Sequence, residues 1–203
     1  MKKLNNKGMT SVEVLMSFIV VVMITVSMYS VVSAYQNKQQ IESFKEKVMT
    51  YKNLLTKEIN DDLIKKGLIA VKVQENILDK VEVGGETHVK KMEYVIEFTL
   101  RNGQQKKLII TSSKAAENGS GVSGEHDLDD EFIIAYGDPG NEMEYPLPNL
   151  GSTTNENGKR IYDLRINMVE ISTKDSIFSL TVGFIHPELE SKYNISIVCP
   201  ISF

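Results

Sequence analysis

From Val14 to Val32 the chain runs nineteen residues without a charged side chain, and this stretch constrains folding more than any other. As a helix it is roughly 28 Å long at ~1.5 Å per residue, close to the ~30 Å hydrocarbon thickness of a bilayer. Its β-branched residues, among them Ile19-Val20-Val21-Val22, would suit a strand in water. In lipid a lone strand leaves every backbone donor and acceptor unpaired, so the segment has to be helical. A cleaved secretory signal would carry its cutting site after the apolar core. There the chain reads Ser33-Ala34-Tyr35-Gln36-Asn37-Lys38, a poor small-x-small site, so the segment is read as a span that stays in the membrane.

Ahead of the span lies a basic leader ending in glycine, Met1-Lys2-Lys3-Leu4-Asn5-Asn6-Lys7-Gly8, and then Met9-Thr10-Ser11-Val12-Glu13. A plain signal anchor accounts for the lysines and the length but not for Glu13. A carboxylate near the start of a lipid-facing helix costs a few kcal/mol unless it lies among headgroups or finds a partner. The partial positive charge at the helix amino end is one compensation. A cut after Gly8 would create another, an α-amino group on Met9 with an ordinary pKa of about 7.7–8. That amine lies four residues from Glu13 and can pair with it within one chain, or with Glu13 of a neighbour packed alongside in stagger.

The run Lys7-Gly8-Met9-Thr10-Ser11-Val12-Glu13-Val14-Leu15 resembles the class III signal of type IV prepilins and pseudopilins. That signal has glycine before the cut, often methionine or phenylalanine after it, and glutamate at the fifth mature position. The resemblance covers about the first thirty-five residues. It implies removal of residues 1–8 by a prepilin peptidase on the cytoplasmic side, N-methylation of Met9 by the same enzyme, and a role for Glu13 in docking each subunit onto a growing filament. The implied partners are other pilin subunits, with an assembly platform protein and ATPase acting indirectly. Where many major pilins carry a proline, and a glycine ahead of it, this chain has Ser30 and Val22, and its first proline is Pro139. The usual cause of a kink is therefore missing, which favours a straighter helix and a minor subunit.

The lysines around the span give a nearly balanced count, Lys2, Lys3 and Lys7 before it and Lys38, Lys45 and Lys47 after it. The short leader and the bulk of chain beyond favour a single pass in the inner or cytoplasmic membrane. The amino end is then cytoplasmic, and the rest is extracytoplasmic and at the cell surface after assembly. A net charge of −4 gives no support for nucleic-acid binding by general charge attraction, leaving only a local basic patch in a competence role. The single cysteine, Cys199, allows no internal disulfide. Its setting, Ile195-Ser196-Ile197-Val198-Cys199, suits a buried thiol, with an intermolecular bond as the other reading.

Beyond the membrane, Ile41, Phe44, Val48, Tyr51, Leu55, Ile59 and Leu63 recur at helical spacing. Lys65-Lys66-Gly67 looks like a helix end, with cations in the last turn and glycine past it. One helix is thus expected from about Thr10 to Asp62 or Lys66, about 80 Å at ~1.5 Å per residue. Strands are expected at Leu68–Val73, Ile77–Val83, Met92–Leu100, Lys106–Ser112, Glu131–Tyr136, Ile161–Ser172, Ser176–His186 and Tyr193–Ser202. Turns are expected at Gly84-Gly85, Arg101-Asn102-Gly103-Gln104 and Thr173-Lys174-Asp175, with a mobile loop over 113–130 and another long loop over 137–160. The fold class is α+β, a long membrane-spanning helix packed on an antiparallel sheet. Its parts are a leader (1–8), a transmembrane or filament-core helix (9–35), an amphipathic continuation (36–66) and an extracytoplasmic β-rich domain (67–203).

Motifs for chemistry are weak. Asp127, Asp129 and Asp130, within Glu125–Glu131, gather oxygen ligands that calcium could use, but the spacing matches no EF-hand loop and a solvated acidic loop is the simpler reading. His88, His126 and His186 have no zinc or relay spacing. No nucleophile elbow, P-loop or dinucleotide fingerprint is present, so neither an enzyme nor a bound cofactor is expected. Asn118 and Asn194 begin glycosylation sequons, and Tyr136, Tyr145, Tyr162 and Tyr193 suit either a core or an adhesive surface. Three functions follow. One is a structural subunit of a type IV pilus or a related secretion or competence filament. Another is a filament-tip adhesin or DNA receptor on the same anchor, and the last is a signal-anchored protein unrelated to pili.

Overall fold

The structure, a computed structural model, describes residues 11–83, 86–113, 125–126, 132–148, 153–154, 160–161, 164–186 and 188–202. The chain divides into two compact units, Met1–Glu42 and Ser43–Phe203, with the boundary inside one helix, α1 (Ser11–Lys66).

In the first unit α1 is apolar all round from Val14 to residue 35, and every residue from 11 to 32 is exposed. Four of its hydroxyls are made compatible with lipid by bonds returned to the backbone. Ser17 donates to the Glu13 carbonyl (2.8 Å), Thr25 to Val21 (2.8 Å), Ser27 to Met23 (2.8 Å) and Ser30 to Val26 (3.1 Å). By length and composition this helix can cross a membrane.

In the second unit α1 is amphipathic, and Phe44, Val48, Leu55, Ile59 and Leu63 form its buried stripe. The helix stops at Gly67, whose φ of 74° a side-chain-bearing residue adopts at a cost. The Gly67 carbonyl accepts the Arg101 N–H at 2.8 Å. The chain then enters β1 (Leu68–Val83), followed by β2 (Glu86–Leu100), β3 (Gln105–Ser113), β4 (Glu125–His126), β5 (Ile133–Asp138), β6 (Asn141–Pro146), β7 (Thr153–Thr154), β8 (Arg160–Ile161), β9 (Arg165–Lys174), β10 (Ile177–Ile185) and β11 (Ile195–Pro200). A five-stranded sheet has the order β1-β2-β3-β5-β6, a second has β11-β10-β9, and short strands form β4-β8-β7. All these ladders are antiparallel, and a parallel bridge between Leu68 and Ile201 ties the second sheet to the start of β1.

Period-two alternation builds the core. In β11 Ile195, Ile197 and Cys199 are buried while the residues between them are exposed. Phe178, Leu180 and Val182 of β10 are buried likewise, and Phe98 of β2 meets Phe178 edge-on at 5.3 Å. These residues and the α1 stripe form one apolar cluster. The α+β class is therefore as the sequence implies: a long helix, apolar in its first part, whose second part packs against antiparallel sheet.

Several boundaries differ. Leu68–Val73 and Ile77–Val83 are one strand, because the Gln74-Glu75-Asn76 interruption stays paired with Val95, Tyr94 and Glu93 of β2. The segment expected as a loop from 137 to 160 contains β6, which pairs with β5 around Pro139-Gly140. Proline fixes its own φ and Gly140 takes a φ of 83°, so two residues reverse the chain. The strand expected from Ile161 starts at Arg165 and runs to Lys174, while Ile161 belongs to β8. The turn expected at Thr173-Lys174-Asp175 is Asp175-Ser176, and Ser191–Tyr193 forms a 3-10 turn before β11. In the expected loop from 113 to 130, Glu125 and His126 pair with β8, and residues 114–124 and 127–130 lie outside the described residues, as do Gly84-Gly85.

Candidate functional site

The junction that carries the sequence argument falls at the edge of the described residues. Gly8 and Met9 lie outside them, and Glu13 occupies the first turn of α1, where the helix dipole favours an acid. Beyond Glu13 the first unit presents a continuous apolar surface, including Leu15, Phe18, Val21 and Met23. An exposed apolar face of this extent is stable only in lipid or against other apolar helices.

The second unit holds a polar row that sequence reasoning missed. Tyr51, Glu58 and Asp62 lie along one edge of the buried α1 stripe, at i, i+7 and i+11, and all three reach the β5–β6 hairpin. The Tyr51 hydroxyl donates to the Tyr145 carbonyl at 2.9 Å, and the Tyr145 hydroxyl donates to Glu58 at 2.5 Å. The Tyr136 hydroxyl donates to Asp62 at 3.1 Å. Two lysines complete the group. Lys66 lies 2.7 Å from Asp62, and Lys106 of β3 lies 3.0 Å from Asp138 and 3.6 Å from Asp62.

The electrostatics follow from this geometry. Burial alone would raise the Asp62 carboxyl, but the hydrogen bonds from Lys66 and Tyr136 and the charge of Lys106 outweigh it and hold the group below its usual range. Burial would lower Lys106, yet its contacts with Asp138 and Asp62 keep the ammonium above its ordinary value. Burial, then the bond to Glu58, pushes the Tyr145 phenol up to about 12. Burial and Asp62 push Tyr136 up as well. Tyr136 and Tyr145 thus stay donors, Asp62 an acceptor and Lys106 a cation through the neutral range. The sequence held a faint signal for this row: Glu58 and Asp62, four apart, border the apolar stripe two and three turns past an aromatic residue with a hydroxyl.

The remaining candidates are placed as follows. Asp127, Asp129, Asp130, Asn118 and Tyr162 lie outside the described residues, and the side chains of His88 and His126 are not described. His186 is buried at the end of β10, with its ring 4.6 Å from that of Phe44 and its Nδ1 accepting the Glu188 N–H at 3.1 Å. Tyr136, Tyr145 and Tyr193 are buried, so they serve the core and not an adhesive face. Asn194 accepts the Phe184 N–H through Oδ1 at 3.1 Å, which commits the sequon side chain to the fold. Cys199 is 1% exposed and burial pushes its thiol up, so the sulfur stays protonated and covered, as a structural thiol does. No family model matches this chain, and no curated protein or solved structure matches it either.

Proposed function

We propose that this protein is a structural subunit of a type IV pilus or a related secretion or competence filament, a minor pilin or pseudopilin without enzymatic activity. The observation that carries the reading is Gly8 and Glu13 at their five-residue spacing, heading a helix whose next nineteen residues are uncharged and exposed. A prepilin peptidase removes residues 1–8 and methylates Met9. Glu13 then meets the new amine of a neighbouring subunit in a medium where an unpartnered carboxylate is costly. Cohesion comes from apolar helices packed side by side, while the α+β domain remains outside the membrane. What supports this division of labour is the change of character within α1, apolar all round up to residue 35 and one-sided from Phe44 onward.

Intact-mass analysis of the membrane fraction tests the reading. In cells with an active prepilin peptidase the chain is expected to begin at Met9 with one added methyl group. Retention of Lys7-Gly8 in those cells would overturn the filament assignment and leave an uncleaved signal anchor.

A further inference from the structure

The carboxyl-terminal part of the buried α1 stripe, beyond Phe44 and Val48, does not by itself fix where the helix sits along its own axis. Leu55, Ile59 and Leu63 are spaced by four and are similar in volume. A shift of one turn toward the amino end, about 6 Å at ~1.5 Å per residue, puts Ile59 where Leu55 was and Leu63 where Ile59 was. The opposite shift is blocked, because Gly67 alone separates α1 from β1. Slippage toward the amino end is open, since unwinding the last turn supplies the slack.

The polar row does not repeat in this way. After the one-turn shift Leu55 would stand where the Tyr51 hydroxyl meets the Tyr145 carbonyl, leaving an edge-strand acceptor against an aliphatic side chain. Asp62 would replace Glu58 opposite the Tyr145 hydroxyl. The place of Asp62, beside Tyr136 and Lys106, would go to Lys66, setting two cations together where a carboxylate now joins them.

We propose that Tyr51, Glu58 and Asp62 form an axial register lock, closed by Tyr145, Tyr136 and Lys106, that holds α1 against the β5–β6 hairpin in a single setting. Buried polar groups that specify register at some expense of stability have a precedent in helical assemblies. Here the lock resists the one slip the connection permits, withdrawal of the helix toward its amino end. The proposal deepens the filament reading, on which its purpose rests, because a subunit held through its helix is loaded along that axis. The charged and titratable groups meeting at the lock are Tyr51, Glu58, Asp62 and Lys66 from α1, Lys106 and Lys107 from β3, Tyr136 and Asp138 from β5, and Glu142 and Tyr145 from β6.

Pulsed electron-spin distance measurement on the full chain in detergent micelles reads the register directly. Spin labels replace Lys57 and Glu144, both exposed, while buried Cys199 stays unlabelled. The otherwise native chain is expected to give one narrow distance. Tyr51→Phe combined with Tyr145→Phe is expected to add a second, distinct distance, that of a helix shifted by about 6 Å along its axis. The buried Val182→Ala control, which destabilises the second sheet without touching the lock, is expected to keep one distance. Should the double variant fail to fold, Tyr51→Phe alone is read the same way. A single unchanged distance in the folded lock variants, or a second population in the control as well, overturns the proposal. The measurement needs neither processing nor filaments, so its failure is distinct from failure of the filament reading.

Discussion

Asp62 shows how a single carboxylate links helix, sheet and pH. A lone acid at this depth would titrate high, and it titrates low only because Lys66, Tyr136 and Lys106 converge on it. A depressed folded-state pKa contributes stability that is fully present above the unfolded value of about 3.9 and is lost as pH falls through the folded value. Asp62→Asn removes that contribution while keeping the size of the side chain. The expected loss near neutrality is about 1 kcal/mol, below the range for a fully buried charged hydrogen bond, because 19% of the Asp62 side chain still meets water. Urea unfolding of native and variant chains at pH 7 and pH 3 checks this. The gap between them is expected to be open at pH 7 and to narrow at pH 3, and a gap of equal size at both values would show that the ion pairs do not carry the effect.

At the scale of elements, the β9–β10 hairpin carries a local conflict that can be relieved. Its two-residue turn, Asp175-Ser176, places φ at 54° and 60°, the left-handed setting of a type I′ turn that glycine fills more readily at the second place. The Ser176 carbonyl accepts the Ile201 N–H at 2.7 Å, so the turn is pinned by the chain end and cannot relax elsewhere. Ser176→Gly is expected to stabilise the protein by about 0.5–1 kcal/mol, read as a higher urea midpoint with an unchanged slope. No gain would mean that the Asp-Ser pair is relaxed where it stands. The same hairpin shows what was legible beforehand. Strand existence follows from alternation, as in Ile177–Ile185, and the helix from its three-and-four spacing, because both patterns are local. The extent of β1 was hidden because Gln74-Glu75-Asn76 looks like a break, although on an edge strand polar side chains face water while the ladder continues, and Asn76 donates to Glu93 at 3.0 Å. The polar row was hidden for a different reason. Its partners lie 74 to 94 residues apart, and only the register of β5 and β6 decides which tyrosine meets which acid.

For the whole molecule the governing fact is that one helix is written for two solvents. Up to residue 35 its side chains suit lipid on every side, and from Phe44 they suit a protein core on one side and water on the other. Glu13 is the exception inside the first part, so its removal separates anchoring from assembly. Taking away the carboxylate lowers the cost of placing the first turn in a membrane, so on the proposed filament reading Glu13→Ala is expected to reach the membrane as well as the native chain and to be cut after Gly8 as efficiently. If the carboxylate guides docking, its loss removes a charge pair formed where water is scarce. Such a pair is worth more than the ~1.4 kcal/mol that corresponds to a factor of ten. Incorporation into sheared filaments, measured against membrane-bound subunit, is therefore expected to fall about tenfold or more, and Glu13→Gln is expected to fall with it because the charge is lost while the shape is kept. Full incorporation of Glu13→Ala at equal membrane levels would strip Glu13 of the docking role and leave α1 to assemble through apolar contact alone.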